Sequence, residues 1–241
     1  MKYLKFILIS ILFIGCGSND SAVNDGVGQG GSTARFAIVG DYLYTVDDNS
    51  LNVFSISTTS NPVFLNKVFI GFRIETLFAY TNNLFIGSQN GMFIYNLNNP
   101  EVPAQDSSVS HFTSCDPVIT DGNFAYVTLH SNTNCGNNIN VLEVYNVTDI
   151  QNPTLVHSRN MIHPKGIGLY NNYLVVCDDE VKIFDVSDPA NMTFATSINI
   201  SGFDVIIKND HLIVVADNGL YQYTLDSNDI TNITTLSTIS Y

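Results

Sequence analysis

Short apolar runs alternate with polar turns along most of this chain. Several runs, such as residues 51–56 (LNVFSI) and 181–186 (VKIFDV), alternate apolar and polar residues over most of their length. A period of two is what a half-buried β-strand requires. The turns between the runs are rich in Asp, Asn, Gly and Pro, and no stretch shows a sustained helical period. The pattern therefore predicts short antiparallel strands joined by tight turns.

The strand pattern repeats five times. Each repeat has an apolar anchor in its second run, and these anchors are Leu43, Leu84, Phe124, Leu174 and Leu212. The spacings are 41, 40, 50 and 38 residues, and the longest spacing contains an insertion at residues 130–138. Four strands in about 40 residues are typical of one propeller blade. The chain is thus predicted to be an all-β protein, a β-propeller of about five four-stranded antiparallel blades over residues 34–241, with a β-solenoid or sandwich as the alternative.

The N-terminus has the pattern of an export signal. Lys2 and Lys5 precede an apolar run at residues 6–14. About 20 apolar residues are needed to span a bilayer, so this run fits a secretory signal better than a transmembrane helix. Residues 13–16 (FIGC) resemble the bacterial lipobox, in which the cysteine is acylated. We therefore expect a signal peptide at residues 1–15 and lipidation of Cys16; an ordinary signal peptide with an incidental cysteine is the alternative.

Residues 16–33 are predicted to be a flexible linker after the lipidated cysteine. The segment 17–33 (GSNDSAVNDGVGQGGST) contains five glycines and almost no apolar side chains. Such a segment cannot bury enough apolar surface to offset its ordering entropy. Gly17 beside the cysteine resembles the sorting pattern of outer-membrane lipoproteins. The expected location is the cell envelope, on an outer-membrane lipoprotein that faces either the periplasm or the exterior.

The charge of the chain excludes several partners. Its 22 acidic and 9 basic residues give a formal net charge of −13. Nucleic-acid phosphates need Lys and Arg to displace counterions, so nucleic acid is not expected as a partner. Attraction of the folded surface to anionic lipid is excluded for the same reason. The expected membrane contact is the N-terminal lipid alone.

Three segments carry a resemblance to a known family. Residues 40–46 (GDYLYTV), 51–56 and 181–189 (VKIFDVSDP) resemble the bacterial LVIVD repeat. Residues 115–129 resemble a characteristic blade of the lipoprotein members of that family. The resemblance extends over residues 34–241 and implies a propeller on an exported protein of Bacteroidetes type. It implies no particular activity.

The cysteines suggest a disulfide and no metal site. Cys115 and Cys135 bracket a predicted hairpin, so in an oxidising compartment we expect them to form a disulfide worth about 3 kcal/mol. Cys177 lies in an apolar strand and is expected to be a buried free thiol. A zinc site needs more ligands than His130 and two cysteines supply. No metal and no cofactor are therefore expected.

A set of polar residues precedes the first strands. Counting back eight or nine residues from each anchor gives Arg35, Glu75, Asp116, Lys165 and Asp204. If the blades are equivalent, these residues lie near the mouth of the central channel and are candidates for ligand binding. The alternative is that they neutralise one another, with Arg35 paired to Asp204 and Lys165 paired to Asp116.

These observations favour a lipid-anchored, non-enzymatic binding or scaffold module with an unknown protein or glycan ligand. A small glycan-active enzyme is one alternative, because glycosidases use paired carboxylates and Glu75, Asp116 and Asp204 could supply them. A structural subunit of an outer-membrane complex is another. The repeat begins at a first strand and ends at a fourth, so we expect the ring to close by packing of the first blade against the fifth.

Overall fold

The computed structural model describes residues 27–28, 31–110, 117–131 and 139–241. Within these residues the secondary structure consists of 21 β-strands and one 3-10 turn at Pro189–Asn191. The first two blades and a short N-terminal strand contain β1 (Val27–Gly28), β2 (Phe36–Val39), β3 (Tyr42–Val46), β4 (Ser50–Ser55), β5 (Val63–Phe69), β6 (Ile74–Tyr80), β7 (Asn83–Ser88), β8 (Gly91–Asn96) and β9 (Ala104–Ser110).

The other three blades follow the same plan. Their strands are β10 (Val118–Thr120), β11 (Phe124–Leu129), β12 (Val141–Asn146), β13 (Thr154–Asn160), β14 (Ile167–Tyr170), β15 (Tyr173–Cys177), β16 (Val181–Asp185), β17 (Thr193–Ile198), β18 (Gly202–Lys208), β19 (His211–Ala216), β20 (Gly219–Thr224) and β21 (Thr234–Ser240). Each blade is an antiparallel sheet whose strands pair in chain order. The prediction of a five-bladed, four-stranded propeller is confirmed.

Tight turns join the first and second strands of the blades. In four blades the connection has two residues, and the first of them adopts a positive φ; these residues are Gly40, Thr81, Asn171 and Asn209, with φ of 55°, 49°, 51° and 53°. Gly and Asn occupy this left-handed region at low cost, whereas Thr81 is a β-branched exception. The Asn, Asp and Gly residues between the apolar runs therefore specify hairpins.

A bulge recurs at one position in every blade. The pairing of the third strand with the fourth shifts register immediately before an aromatic residue. These aromatic residues are Phe54, Tyr95, Tyr145, Phe184 and Tyr223. Because the irregularity repeats with the same residue type, the five blades are structurally equivalent, as the repeat analysis assumed.

The pairing corrects the anchor chosen for the third repeat. Leu84 pairs with Tyr95, and in the third blade it is Ala125 that pairs with Tyr145. Ala125 is therefore the equivalent of Leu84, and the anchor predicted at Phe124 is one residue early. The connection before β11 has three residues, Asp121 to Asn123, instead of two, which explains the offset.

The core lies between the blades. Four separate apolar clusters join blades 1 and 2, 2 and 3, 3 and 4, and 4 and 5. The middle blades bury both faces: in β15, for example, Leu174 to Cys177 are all buried. A strand covered on both faces has a continuous buried run, whereas one covered on a single face alternates.

The two end blades each bury only one face. Leu84, Leu174 and Leu212 are 0% exposed, but Leu43, at the same position of blade 1, is partly exposed. Phe54 is partly exposed too, although its equivalents in the other blades are at most 5% exposed. Both residues lie on the face of blade 1 that is turned away from blade 2.

Blade 5 shows the complementary pattern. Leu220 and Gln222 are partly exposed, whereas the equivalent residues of the other four blades are fully buried. Among the described residues, no apolar cluster joins blade 5 to blade 1. The expected packing of blade 1 against blade 5 is therefore not found in the described part of the chain, and the ring has an opening at its rim.

Two matched leucine variants test this asymmetry. We expect Leu84→Ala to lower the free energy of unfolding by about 3 kcal/mol, because it leaves a cavity in the core between blades 1 and 2. Leu43→Ala removes the same atoms from the uncovered face and should cost about 1 kcal/mol or less. Urea unfolding of both variants measures the difference. Equal losses would show that blade 1 is covered on both faces in solution.

Candidate functional site

One end of the channel carries a cavity lined by residues from several blades. Its volume is about 410 Å³, and its lining comprises Thr33, Arg35, Glu75, Thr76, Pro117, His130, Lys165 and Phe203. Three of the five residues predicted at the channel mouth, Arg35, Glu75 and Lys165, lie in this lining. We call it the mouth cavity. Asp116 lies outside the described residues, so its place in this set stays a prediction.

The inner strands aim two of the lining side chains through β-bulges. The pairing of β6 with β7 shifts register between Ile74 and Thr76, which leaves Glu75 as the extra residue. The pairing of β18 with β19 shifts in the same way between Gly202 and Asp204, which leaves Phe203 as the extra residue. Bulges re-aim side chains at sites of this kind. Counting from the anchors does not select Phe203, because a bulge has no clear sequence signal here.

Asp204 does not line the mouth cavity. Thr76 pairs with Gly87, which lies three residues after the anchor Leu84. Asp204 pairs with Val215, which lies three residues after the anchor Leu212. Asp204 is therefore the equivalent of Thr76 and not of Glu75. Register alone does not explain the difference, because Thr76 and Arg35 have the same register and both line the cavity. The Asp204 side chain is buried, with 8% exposure of the residue.

Asp204 instead binds a short segment before the first blade. Its carboxylate accepts hydrogen bonds from Ser32 Oγ at 3.2 Å and from Thr33 Oγ1 at 2.5 Å. Ser32 Oγ accepts in turn from the Ile167 backbone N–H at 2.7 Å. We call Gly31 to Thr33 the strap, because it fastens the start of blade 1 to blades 4 and 5. The proposed pairing of Asp204 with Arg35 is not found.

The backbone around Asp204 leaves no room for side chains. A Cβ atom on Gly31 or on Gly166 would collide with the Asp204 carboxylate. Burial raises the pKa of Asp204 above its ordinary value of 3.8, and the hydrogen bonds from Thr33, Val205 and Ser32 oppose that rise. The ring is therefore closed at its hub by a buried polar contact.

Arg35 is held loosely at the mouth. Its Nη2 donates to the Ile74 carbonyl at 3.1 Å and lies 3.6 Å from Asp48 Oδ1. The Asp48 side chain is 93% exposed, so the ion pair is screened by water and contributes little to stability. The guanidinium keeps donors that can reach a ligand.

Glu75 belongs to a chain of polar contacts. Arg73 Nη1 donates to Gln89 Oε1, and Gln89 Nε2 donates to Glu75 Oε1 at 3.4 Å. Arg73 has a positive φ of 57°, and its carbonyl accepts the Gln89 backbone N–H at 3.1 Å. This chain orients the carboxylate and places a third cation beside the mouth cavity.

Two histidines flank Lys165. The rings of His130 and His163 pack edge to face with their centroids 5.1 Å apart. Burial lowers the pKa of His163, the nearby Lys165 charge lowers it further, and Asp178 opposes both. Asp178 itself accepts backbone N–H groups of Ile162 and His163 and forms a 2.8 Å ion pair with Lys182. Asp178 therefore has a structural role.

A second cavity lies on the other side of the strap. Its volume is about 310 Å³, and inner-strand residues such as Phe78, Ile119, Ile167 and Val205 line it. Ser32 faces this second cavity and Thr33 faces the mouth cavity. The strap therefore lies between the two.

Some of the remaining predicted sites lie within the described residues and others lie outside them. Cys177 is a buried free thiol, as predicted, and burial raises its pKa. Cys16, Cys115 and Cys135 lie outside the described residues, so lipidation and the disulfide stay predictions. Within the described ranges no three His, Cys, Asp or Glu side chains cluster as metal ligands. Those ranges also contain no helix long and apolar enough to cross a membrane.

These features define the chain as a five-bladed β-propeller with a cavity at the mouth of its channel. The LVIVD repeat model matches residues 30–69 and 163–200, which span blades 1 and 4. The resemblance noted in the sequence is thus confirmed for two of the five repeats. No functionally curated protein matches the chain in sequence.

Solved structures support the fold. A protein from Lactobacillus plantarum matches with a TM-score of 0.69 and 12% identity over 82% of this chain and 67% of its own. The computationally designed Ika8 protein matches with a TM-score of 0.61 and 12% identity over 85% and 60%. A functionally unknown protein from Desulfotomaculum acetoxidans DSM 771 matches with a TM-score of 0.52 and 9% identity over 84% and 80%. Identities this low show the fold alone. The chain spans about two thirds of the first structure and less of the second.

The strap gives a testable stability effect. We expect Asp204→Ala to lower the free energy of unfolding by about 2 kcal/mol, because the strap hydroxyls lose a buried acceptor. Asp217→Ala removes an exposed carboxylate and is the control, with no more than about 0.5 kcal/mol expected. Urea unfolding measures both. If the two variants lose stability equally, the strap does not hold the ring together.

The strap also has a pH dependence with a defined sign. Because the pKa of Asp204 is raised in the folded protein, folding favours its protonated form. The stability of the native protein relative to Asp204→Asn should therefore be greatest below pH 3.8 and should fall as the pH rises through the folded pKa. Urea unfolding of the two proteins at a series of pH values measures this difference. A relative stability that rises with pH would mean that the pKa is lowered.

Proposed function

We propose that the chain is a non-enzymatic binding module of the cell envelope, tethered through Cys16, whose ligand occupies the mouth cavity. The observation that supports the site is the convergence of Arg35, Glu75 and Lys165 from three blades on one cavity. Concave sites with a few convergent polar groups are the usual places for ligands.

The scaffold under the site favours recognition. The second strands of blades 2 to 4 are buried on both faces, so β6, which carries Glu75, and β14, which begins two residues after Lys165, pair with well-packed strands. A side chain on a rigid strand keeps its geometry in the absence of ligand, which reduces the entropy lost on binding. The mouth cavity is therefore a preorganised surface.

The carboxylates favour binding over glycoside hydrolysis. Hydrolysis of this kind uses two carboxyl groups that flank the bond to be cleaved. Of the three candidates, Asp204 is held by the strap and Asp116 lies outside the described residues. Glu75 is thus the one predicted acid that the described structure places in the mouth cavity.

The tether rests on the sequence. The apolar run, Gly15 and Cys16 support a triacylated cysteine on an outer-membrane lipoprotein of Bacteroidetes type. Two or more acyl chains hold a protein firmly at a membrane, whereas one does so only marginally. The Gly-rich segment after the cysteine supports a spacer between membrane and propeller.

The tether is tested by labelling. We expect radiolabelled palmitate to incorporate into the native chain and the protein to sediment with membranes. Cys16→Ser should remove the label and release the protein, while Cys177→Ser should keep both, because that thiol is buried. Label that persists in Cys16→Ser would contradict lipidation at this residue.

The site is tested with a ligand panel. We expect a member of a panel of envelope glycans and peptides to bind the native chain, and Arg35→Gln and Lys165→Gln to weaken that binding about tenfold each, because each removes a charge-assisted hydrogen bond. Lys208→Gln, at the far end of β18, is the matched control and should bind normally. Calorimetry measures the affinities.

The same panel separates the alternatives. Binding that neither mouth variant weakens would contradict the proposed site. Consumption of a glycan, abolished by Glu75→Gln, would contradict a non-enzymatic role. Stoichiometric co-purification with an outer-membrane complex, unaffected by the mouth variants, would favour the structural subunit.

A further inference from the structure

We infer that the mouth cavity binds the carboxylate-bearing sugar of an acidic glycan, that is, a uronic-acid unit. The inference deepens the proposed function and rests on the mouth cavity being the binding site. It follows from the distribution of positive charge, from the absence of an ion pair to Lys165 among the described residues and from the mixed polar and aromatic lining.

Positive charge is scarce in this protein and concentrated at the mouth. Of nine basic residues, Lys2 and Lys5 lie outside the described part, which leaves seven. Three of these, Arg35, Arg73 and Lys165, line or adjoin the mouth cavity. The chain as a whole has a net charge of −13. A local cluster of cations therefore attracts an anionic group to the mouth and not to the rest of the surface.

Most of the other cations are already engaged. Lys67 forms a 2.8 Å ion pair with Asp47. Lys182 binds Asp178 and Asp179 at 2.8 and 2.6 Å. The guanidinium of Arg159 lies 4.8 Å from the centroid of the Phe184 ring. Lys208 is exposed at the far end of β18 and stands alone, so among the described residues the mouth is where several cationic side chains come together.

Lys165 provides the main argument for an anion-binding site. It lines the mouth cavity, and no carboxylate of the described residues lies within ion-pair distance of its ammonium group. Among the described carboxylates, the exposed Asp48 is the one within ion-pair distance of Arg35, at 3.6 Å. A ligand carboxylate between Lys165 and Arg35 would form charge-assisted hydrogen bonds with both.

The rest of the lining fits a sugar ring. Phe203 is 38% exposed and presents an apolar surface to the cavity, on which the C–H face of a pyranose can pack. Thr33, Thr76, Glu75 and His130 supply hydroxyl, carboxylate and imidazole groups that can meet ring hydroxyls. A volume of about 410 Å³ lies at the lower end of the range for small-ligand sites. An aliphatic carboxylate would leave these polar groups unused, and a bare phosphate would leave Phe203 unused.

The test compares acidic and neutral sugars on the full chain. We expect calorimetry at low salt to show methyl glucuronide or methyl galacturonide binding at least about tenfold more tightly than methyl glucoside or methyl galactoside, with the preference falling as salt rises. Lys165→Gln should remove the preference and Lys165→Arg should retain it. Phe203→Ala should weaken acidic and neutral sugars alike. Lys208→Gln and Phe64→Ala, whose side chains lie outside the cavity, are the controls.

The outcomes separate this inference from the proposed function. Equal binding of acidic and neutral sugars, or phosphate or acetate binding as tightly as the uronides, would overturn the inference. The inference would also fail if a peptide binds, no sugar binds and Lys165→Gln abolishes peptide binding. In that case the mouth cavity would still be the binding site. If Lys165→Gln alters the binding of no ligand at all, both fail. Thermal unfolding of each variant verifies that the fold is intact.

Discussion

A four-stranded sheet with two apolar faces cannot bury both of them alone, and this constraint determines the architecture of the propeller. Each blade gains its core from its neighbours, so the four apolar clusters lie between blades and not within them. The same constraint explains why the second strands of the middle blades are buried along nearly their whole length. Stability in such a stack is a sum of interfaces between neighbours.

The end blades show what happens where a neighbour is lacking. Blade 5 has Gln222 where the other blades have Val or Ile, so its uncovered face is less apolar by sequence. Blade 1 keeps Phe54 on its own uncovered face, where the ring packs against Phe64 with centroids 5.5 Å apart. The ring is fastened at the hub instead, through the carboxylate of Asp204 and two hydroxyl groups. Apolar packing thus holds neighbouring blades together, and a polar contact links blade 5 to the start of blade 1.

The fold was predictable because its determinants are local. The period of two and the Asn, Asp and Gly turns specify strands and hairpins without long-range information, and their repetition specifies a stack. The mouth was predictable only in part. Arg35, Glu75 and Lys165 were found by counting from the anchors. The same count failed for Asp204, because its carboxylate accepts hydrogen bonds from Ser32 and Thr33, and no sequence pattern predicts those contacts. The bulges that aim Glu75 and Phe203 have no equally clear pattern.

The strap lay in a segment that composition predicts to be a flexible linker. Its residues, Gly31 to Thr33, are small and polar, and their order comes from a carboxylate 171 or 172 positions away in the chain. The short strand β1 also lies in that segment, and it pairs with β2 of the first blade. Composition shows that the segment has few apolar side chains, but it contains no information about a specific buried acceptor.

Native-state hydrogen exchange tests most directly whether stability comes from blade-on-blade stacking with two uncovered faces. The account predicts that backbone amides of β7, β11 and β15 exchange most slowly, because both neighbouring blades shield them, and that those of β3 and β19 exchange faster. Asp204→Ala should accelerate exchange in the end blades more than in the middle ones. Equal protection of all five second strands would contradict the account, because it would require a closed ring with five equivalent interfaces.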